Sequence, residues 1–224
     1  MIIFDLDDTL IDTSGCITPV KLEMALERMM ARGLSVTDPL EALQLLKRLD
    51  MAADSAHSTL SEFLEILGAD EKFYSIGIEE IYGKLPEDIA VFPIEEAVDI
   101  LIGLKENHQI ALVTIGKSEQ QMSKMKKAGI DSTIFSKIIV SESQDKKPHY
   151  KAVMESLGFL PSQTIVLGDR VALDLSPAKE LGCKTIQMRW GRGLNPIPMQ
   201  AKSDVDFTIT ELKQIKEIIS LLSF

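Results

Sequence analysis

The sequence is short of cysteine, with only Cys16 and Cys183 among 224 residues. Two thiols that far apart form neither a disulfide framework nor a metal-spaced cluster, the pattern of a chain kept in a reducing compartment. Long apolar runs are missing too: none approaches the ~18 residues of a membrane span. The N-terminus has no basic segment leading into an apolar stretch and a cleavage site. These absences predict a soluble, cytoplasmic protein with no membrane partner. Acidic residues outnumber basic ones, 34 to 24, and the net charge of −10 argues against nucleic acid, which calls for a basic face. A chain this acidic repels small anions as a whole, so a phosphate site must carry its own local positive charge. Internal repeats and low-complexity stretches are absent. The histidines His57, His108 and His149 stand apart from one another and read as surface or satisfied polar residues, not metal ligands.

What is present begins with an ordinary core: 45% hydrophobic against 26% charged residues suffices for a globular protein that buries a sizeable interior. From about residue 109 the pattern alternates strand and helix. QIALVTIG (109–116), KIIVS (137–141), TIVLGD (164–169) and KTIQMRW (184–190) read as strands, with DFTI (206–209) as a fifth. Helices are expected over 117–128, 148–157 and 172–181, each closed by a glycine, and again at the C-terminus. Near-continuous apolar strands separated by helices predict a parallel sheet covered on both faces, an α/β, Rossmann-like fold. The opening strand MIIFD belongs to the same sheet.

Residues 14–87 read differently. Thr18-Pro19 offers an N-cap and a first-turn proline, and Asp38-Pro39-Leu40-Glu41 repeats the device with a glutamate at the third helical position. Thr59-Leu60-Ser61-Glu62 resembles a further capping box, and Asp70 to Lys84 a helix halted before Pro86. The expected organisation is a core of 1–13 with 88–224, interrupted by an all-helical insertion of 14–87. A segment that long inside a compact sheet is usually functional.

In an open parallel sheet, ligands bind outside the carboxyl ends of the strands. The first strand ends in Asp5 and Asp7, with Asp8 beside them; the next ends in Thr114, followed by Ile115 and Gly116. The loop after KIIVS holds Lys146 and Lys147 before Pro148. TIVLGD ends in Gly168-Asp169, with Asp174 five residues later. Carboxylates, a hydroxyl and an ammonium on one rim are the constellation for Mg²⁺-assisted phosphoryl transfer. Like charges as close as Asp5 and Asp7 oppose one another's ionisation unless something cationic joins them.

FDLDDTL, ALVT, KKP and GDRVALD, in that order and spacing, resemble the four motifs of the haloacid dehalogenase superfamily. The stretch from Lys147 through GDRVALDLSPAKELGCKTI looks closest to its phosphatase branch, and the helical insertion sits where that family carries a cap domain. The resemblance implies a Mg²⁺-dependent phosphatase acting on a small phosphorylated metabolite through an aspartyl-phosphate. Asp5 is then the nucleophile, and Asp7 the general acid and base. Thr114 and the amides of Ile115 and Gly116 bind the transferring phosphoryl oxygens, and Lys147 neutralises their charge. Asp5 and Asp169 fit as carboxylate ligands of the cation, Asp7 adds its backbone carbonyl by resemblance, and Asp174 supports the metal or orients Lys147. Lys147 is preferred over Lys146 because it directly precedes Pro148, although the second proline usual in that motif is missing. Asp8 has no catalytic role in this scheme and reads as a solvated or turn-capping residue.

The need for a cation follows from Coulomb's law. A phosphate dianion about 3.5 Å from one carboxylate is repelled by roughly 9 kcal/mol at an effective dielectric of about 20. Within the family, dehalogenation has no need of Asp7, and phosphonate cleavage needs a Schiff-base lysine in the cap, where nothing singles out Lys21. A phosphomutase uses the same core and remains an alternative, as does a non-hydrolytic phospho-accepting or scaffold protein. A scaffold would be expected to have lost one of Asp5, Asp7, Lys147 or Asp169, all of which are present.

Overall fold

The computed structural model describes residues 1–222. The chain divides into two compact units: Met1–Thr13 together with the chain from Ala90 onward, and Ser14–Ile89.

The first unit holds six parallel strands: β1 (Ile2–Phe4), β2 (Ile110–Ile115), β3 (Lys137–Ser141), β4 (Ile165–Gly168), β5 (Lys184–Met188) and β6 (Phe207–Ile209), in the order β3-β2-β1-β4-β5-β6. β1 lies between β2 and β4, with Ile2 opposite both Ile110 and Ile165. Alternation divides its side chains between two faces. Ile3, Ala111, Val113 and Val166 pack on one face against Tyr150, Val153, Met154 and Ala178, which lie on two helices, Lys147–Leu157 and Ser176–Leu181. Ile2, Phe4, Leu112 and Leu167, pointing the other way, are just as deeply buried. The connections on either side of β1 run in opposite directions along the sheet, so the carboxyl ends of β1, β2 and β4 form the crevice where ligands bind in such folds.

The second unit contains four helices: α1 (Thr18–Ala31), α2 (Pro39–Ala52), α3 (Ala56–Leu67) and α4 (Lys72–Ile81). Leu22, Leu26, Met29, Leu46, Leu60 and Phe63 form its own core. Asp38 caps α2 as its sequence predicts, accepting from the amides of Leu40 and Glu41. Two other starts differ. The π-helical turn Thr13–Ile17 leads directly into α1, so Thr18 is its first residue and not its cap. α3 begins one turn earlier than its capping-box pattern suggests. Ser55 is the cap, while Thr59 lies inside the helix and donates to Asp50 and to the Ser55 carbonyl.

The first unit adds α5 (Ala97–Lys105), which the sequence reading passes over, then α6 (Ser118–Lys127), α7 (Lys147–Leu157), α8 (Ser176–Leu181) and α9 (Ile215–Leu222). No helix among the described residues is long and apolar enough to cross a membrane.

Candidate active site

The site is assembled from strand ends. The Asp5 amide donates to the Leu167 carbonyl at 2.9 Å, continuing the β1–β4 ladder one residue past β1, and this fixes the carboxylate at the crevice. Asp169 follows β4 directly. Asp174, five residues later, is drawn back over Gly168, where a Cβ would fall 2.5 Å from the Asp174 Cβ. Only glycine admits so close an approach. Asp5, Asp169 and Asp174 thereby bring one carboxylate oxygen each within 4.8 Å of one another, all three buried.

Lys146 supplies the local positive charge. Its Nζ donates to Asp5 Oδ1 and to Asp174 Oδ1, both at 2.6 Å, and it is 1% exposed. Asp174 Oδ2 accepts the Arg170 amide at 2.9 Å, which holds the carboxylate toward the lysine. Burial alone would lower the Lys146 ammonium, but the charges of Asp174 and Asp5 outweigh it and hold the group well above its ordinary value. The preference for Lys147 is therefore corrected. Lys147 is the first residue of α7 and its Nζ pairs with Glu180 of α8 at 2.7 Å, its side chain 44% exposed. The physical reason lies in the helix face. Lys146, Tyr150, Val153 and Met154 form one buried stripe at helical spacing, whereas Lys147, Lys151 and Glu155 form a solvent-facing one.

Two of the three clustered carboxylates, Asp5 and Asp174, share this ammonium. Burial, followed by the charges of Asp174 and Asp7, raises Asp5 to about 7 despite the opposing pull of Lys146. Asp169 is pushed well above the usual carboxylate range by burial and by the charges of Asp174, Asp5 and Asp8. The three clustered carboxylates outnumber the one lysine in contact with them, and the donors are hard oxygens. That is the donor set and the charge that suit a divalent cation such as Mg²⁺.

Asp7 lies in a different environment. Its Oδ1 accepts from Lys124 Nζ at 2.8 Å and from the Thr13 hydroxyl; its Oδ2 accepts from Gln121 Nε2 at 2.8 Å. Burial would raise this carboxyl, but the Lys124 charge and the hydrogen bonds from Gln121, Lys124 and Thr13 hold it below its ordinary value. Two carboxylates two residues apart are thus pushed in opposite directions by their surroundings.

Thr114, 1% exposed, lies at the end of β2 with Gln121 Nε2 2.7 Å from its Oγ1. Ile115 contributes its carbonyl, which also accepts from Gln121, at 3.0 Å. The expectation for the Gly116 amide is corrected: it donates to the Ser141 carbonyl at 2.8 Å, extending the β2–β3 ladder, and is already used there. Asp8 is corrected in part. It is 7% exposed, not solvated, and it turns the chain with a left-handed φ of 56°.

Gln121 and Lys124 escaped the sequence reading, as did Gln187, whose Nε2 donates to the carbonyls of Asp169 and Gly193 at 3.3 Å. All three are polar residues in predicted elements and resemble any solvated face. A signal was available for two of them: α6 directly follows the strand that ends in Thr114, so its first turns lie at the crevice.

A family model described as Haloacid dehalogenase-like hydrolase matches residues 2–188. A glyceraldehyde 3-phosphate phosphatase of Pyrococcus furiosus is 29% identical over 98% of this chain and 92% of its own length. A protein of the same name from Methanocaldococcus jannaschii is 29% identical over 99% of this chain and 97% of its own. Among solved structures, a predicted phosphoglycolate phosphatase from Haemophilus somnus superimposes with a TM-score of 0.72 at 20% identity, covering 98% of this chain and 97% of its own. That likeness speaks for the fold. The strand ends, the acidic cluster and a match over most of the chain agree, and the protein belongs to the haloacid dehalogenase-like hydrolase family.

Proposed function

We propose that this phosphatase hydrolyses small phosphorylated metabolites of the triose phosphate kind, with Mg²⁺, through a phosphorylated Asp5. The observation that carries the reading is the buried trio Asp5, Asp169 and Asp174, two of them paired with Lys146, in the crevice where the fold receives ligands. Asp5 and Asp169, with the backbone carbonyl of Asp7, would hold the cation, and Asp174 would support it while fixing Lys146. When bound, the cation supplies the positive charge that offsets repulsion between the phosphate dianion and the Asp5 carboxylate.

Asp5 attacks phosphorus as the bond from phosphorus to the ester oxygen breaks, and the leaving alcohol takes a proton from Asp7. Asp7 then removes a proton from water as the water oxygen bonds to phosphorus and the bond from phosphorus to Asp5 breaks, which releases phosphate and restores the Asp5 carboxylate. The contacts of Asp7 described above are those of its base form, since both oxygens accept. The acid form exchanges one of these contacts for a hydrogen bond to the leaving oxygen. Thr114 and Lys146 bind the phosphoryl oxygens. The place given to Lys147 by resemblance thus passes to Lys146.

The substrate class rests on the two relatives named for glyceraldehyde 3-phosphate. The helical unit, Ser14–Ile89, is proposed to be the family's cap, the part that chooses among phosphate esters.

The test is phosphate release from glyceraldehyde 3-phosphate and from p-nitrophenyl phosphate, with Mg²⁺ or EDTA. Turnover that needs Mg²⁺ and is lost in Asp5→Asn and Asp7→Asn is the expected result. Turnover that survives Asp5→Asn, or that is unchanged by EDTA, would overturn the reading.

A further inference from the structure

Asp7 follows β1 and Thr114 lies in β2, yet both are tied to α6. The Gln121 side chain, 2% exposed, places Nε2 within 2.8 Å of Asp7 Oδ2, 2.7 Å of Thr114 Oγ1 and 3.0 Å of the Ile115 carbonyl. A carboxylate and a carbonyl can only accept, so the nitrogen end of the amide must face this cluster. One turn further along the same helix, Lys124 Nζ reaches the other oxygen of Asp7 at 2.8 Å. Residues three apart on a helix present one face, and here that face is turned to the site. The backbone makes room for it. Gly116 has a φ of 145°, and a Cβ there would meet Gln121 Cδ at 3.2 Å. The chain is therefore bent, at a residue without a side chain, where the Gln121 amide passes.

Hydrogen-bond accounting gives this arrangement a consequence. An amide nitrogen donates and cannot accept, so the Thr114 hydroxyl cannot turn its own proton toward Gln121. That proton is left for an acceptor other than Gln121. The same amide, with Lys124, fixes the plane of the Asp7 carboxylate from both oxygens. We propose that Gln121 and Lys124 are positioning residues. In this role they orient the Asp7 carboxylate toward the leaving group's oxygen and aim the Thr114 hydroxyl at the phosphoryl group. Neither is required to touch substrate. The inference rests on the phosphatase reading above and adds to it a prediction about which substrates feel the loss.

Orientation of Asp7 matters most when the leaving group needs a proton. An alkoxide from a triose phosphate needs one; p-nitrophenolate, a stable anion, hardly does. General acid catalysis is typically worth about 10²–10⁴-fold. In Gln121→Met, which keeps the volume and removes the donors, kcat/KM for glyceraldehyde 3-phosphate should fall about 10²-fold. For p-nitrophenyl phosphate the fall should be under about 10-fold, the residue of a misaimed Thr114. The KM for both should change little. Lys124→Met should show the same split, and it decides the matter if Gln121→Met fails to fold. Equal losses on the two substrates, or no loss on either, would overturn the inference, since a merely structural role lowers both alike. Failure of the phosphatase reading would appear separately, as an unmodified protein that cleaves neither ester.

Discussion

Replacing one of two adjacent lysines should separate the chemistry from the surface. Lys146→Met removes the single ammonium between Asp5 and Asp174, each 2.6 Å away, and leaves buried carboxylates with no counter-charge. Breaking a buried pair by removing one partner costs about 3–5 kcal/mol. For a chain of this size each kcal/mol moves the melting temperature by about 2–4 °C, so a fall of about 6–20 °C is expected in EDTA. The deficit should be larger at pH 8 than at pH 5, because protonation of Asp5 relieves the crowding at low pH. Saturating Mg²⁺ should narrow it. Catalysis should suffer independently of folding: loss of one charge stabiliser of the transferring group typically costs about 10²–10³ in kcat. Lys147→Met, which loses only a solvent-facing contact with Glu180, should change neither measurement. The assays are differential scanning fluorimetry in EDTA and in Mg²⁺, and steady-state phosphate release. A stable, active Lys146→Met beside an inactive Lys147→Met would refute the assignment and the charge argument with it.

Three further outcomes can be checked. Gly168→Ala forces a Cβ onto Asp174; overpacking of this kind costs about 1–3 kcal/mol, and displaced Asp174 would release Lys146, so urea unfolding and kcat should both report the change. Asp5 is raised to about 7 when buried without a cation, above its unfolded value near 4. Its contribution is therefore fully present below pH 4 and lost as pH rises through 7. Urea midpoints in EDTA should fall over that window, and Asp5→Asn should flatten the slope. Finally, Mg²⁺ at about a hundred times its Kd should stabilise the protein by about 2.7 kcal/mol if it binds only the folded state. Asp169→Asn should weaken that gain in the same denaturation assay.

Much of this was legible in the residues. Each of the six strands falls where an apolar run ends in a turn signal, and the carboxylates fall at strand ends because the parallel sheet puts them there. Asp5, Asp169 and Thr114 needed no more than that, whereas Asp174 lies in the turn Val171–Leu175 beyond β4. Between the two lysines weighed, Pro148 as the anchor favours Lys147, whereas extending the buried face of Tyr150, Val153 and Met154 back by one turn points to Lys146. α5 gave no start signal: Glu96 stands at its N-cap position with a left-handed φ of 60° and makes no side-chain cap. Gln121 and Lys124 lie among charged residues on α6, where period alone cannot separate a face turned to a crevice from one turned to water.

The position of β1 also bears on how the molecule is made. Ile2 meets Ile110 and Ile165, so the strand that leads to Asp5 has no partner until about half of the chain has been made and gains its second only with β4. Contacts so distant in sequence are slow to form, and an apolar segment waiting for them is exposed to aggregation. The four helices of Ser14–Ile89 have their own core and can fold during that wait. The acidic crevice at the ends of β1 and β4 is then among the last parts to be completed, and a chain that stops before β4 cannot possess it. Pulse-labelled hydrogen exchange during refolding should show α1 to α4 protected before the amides of β1 and β4.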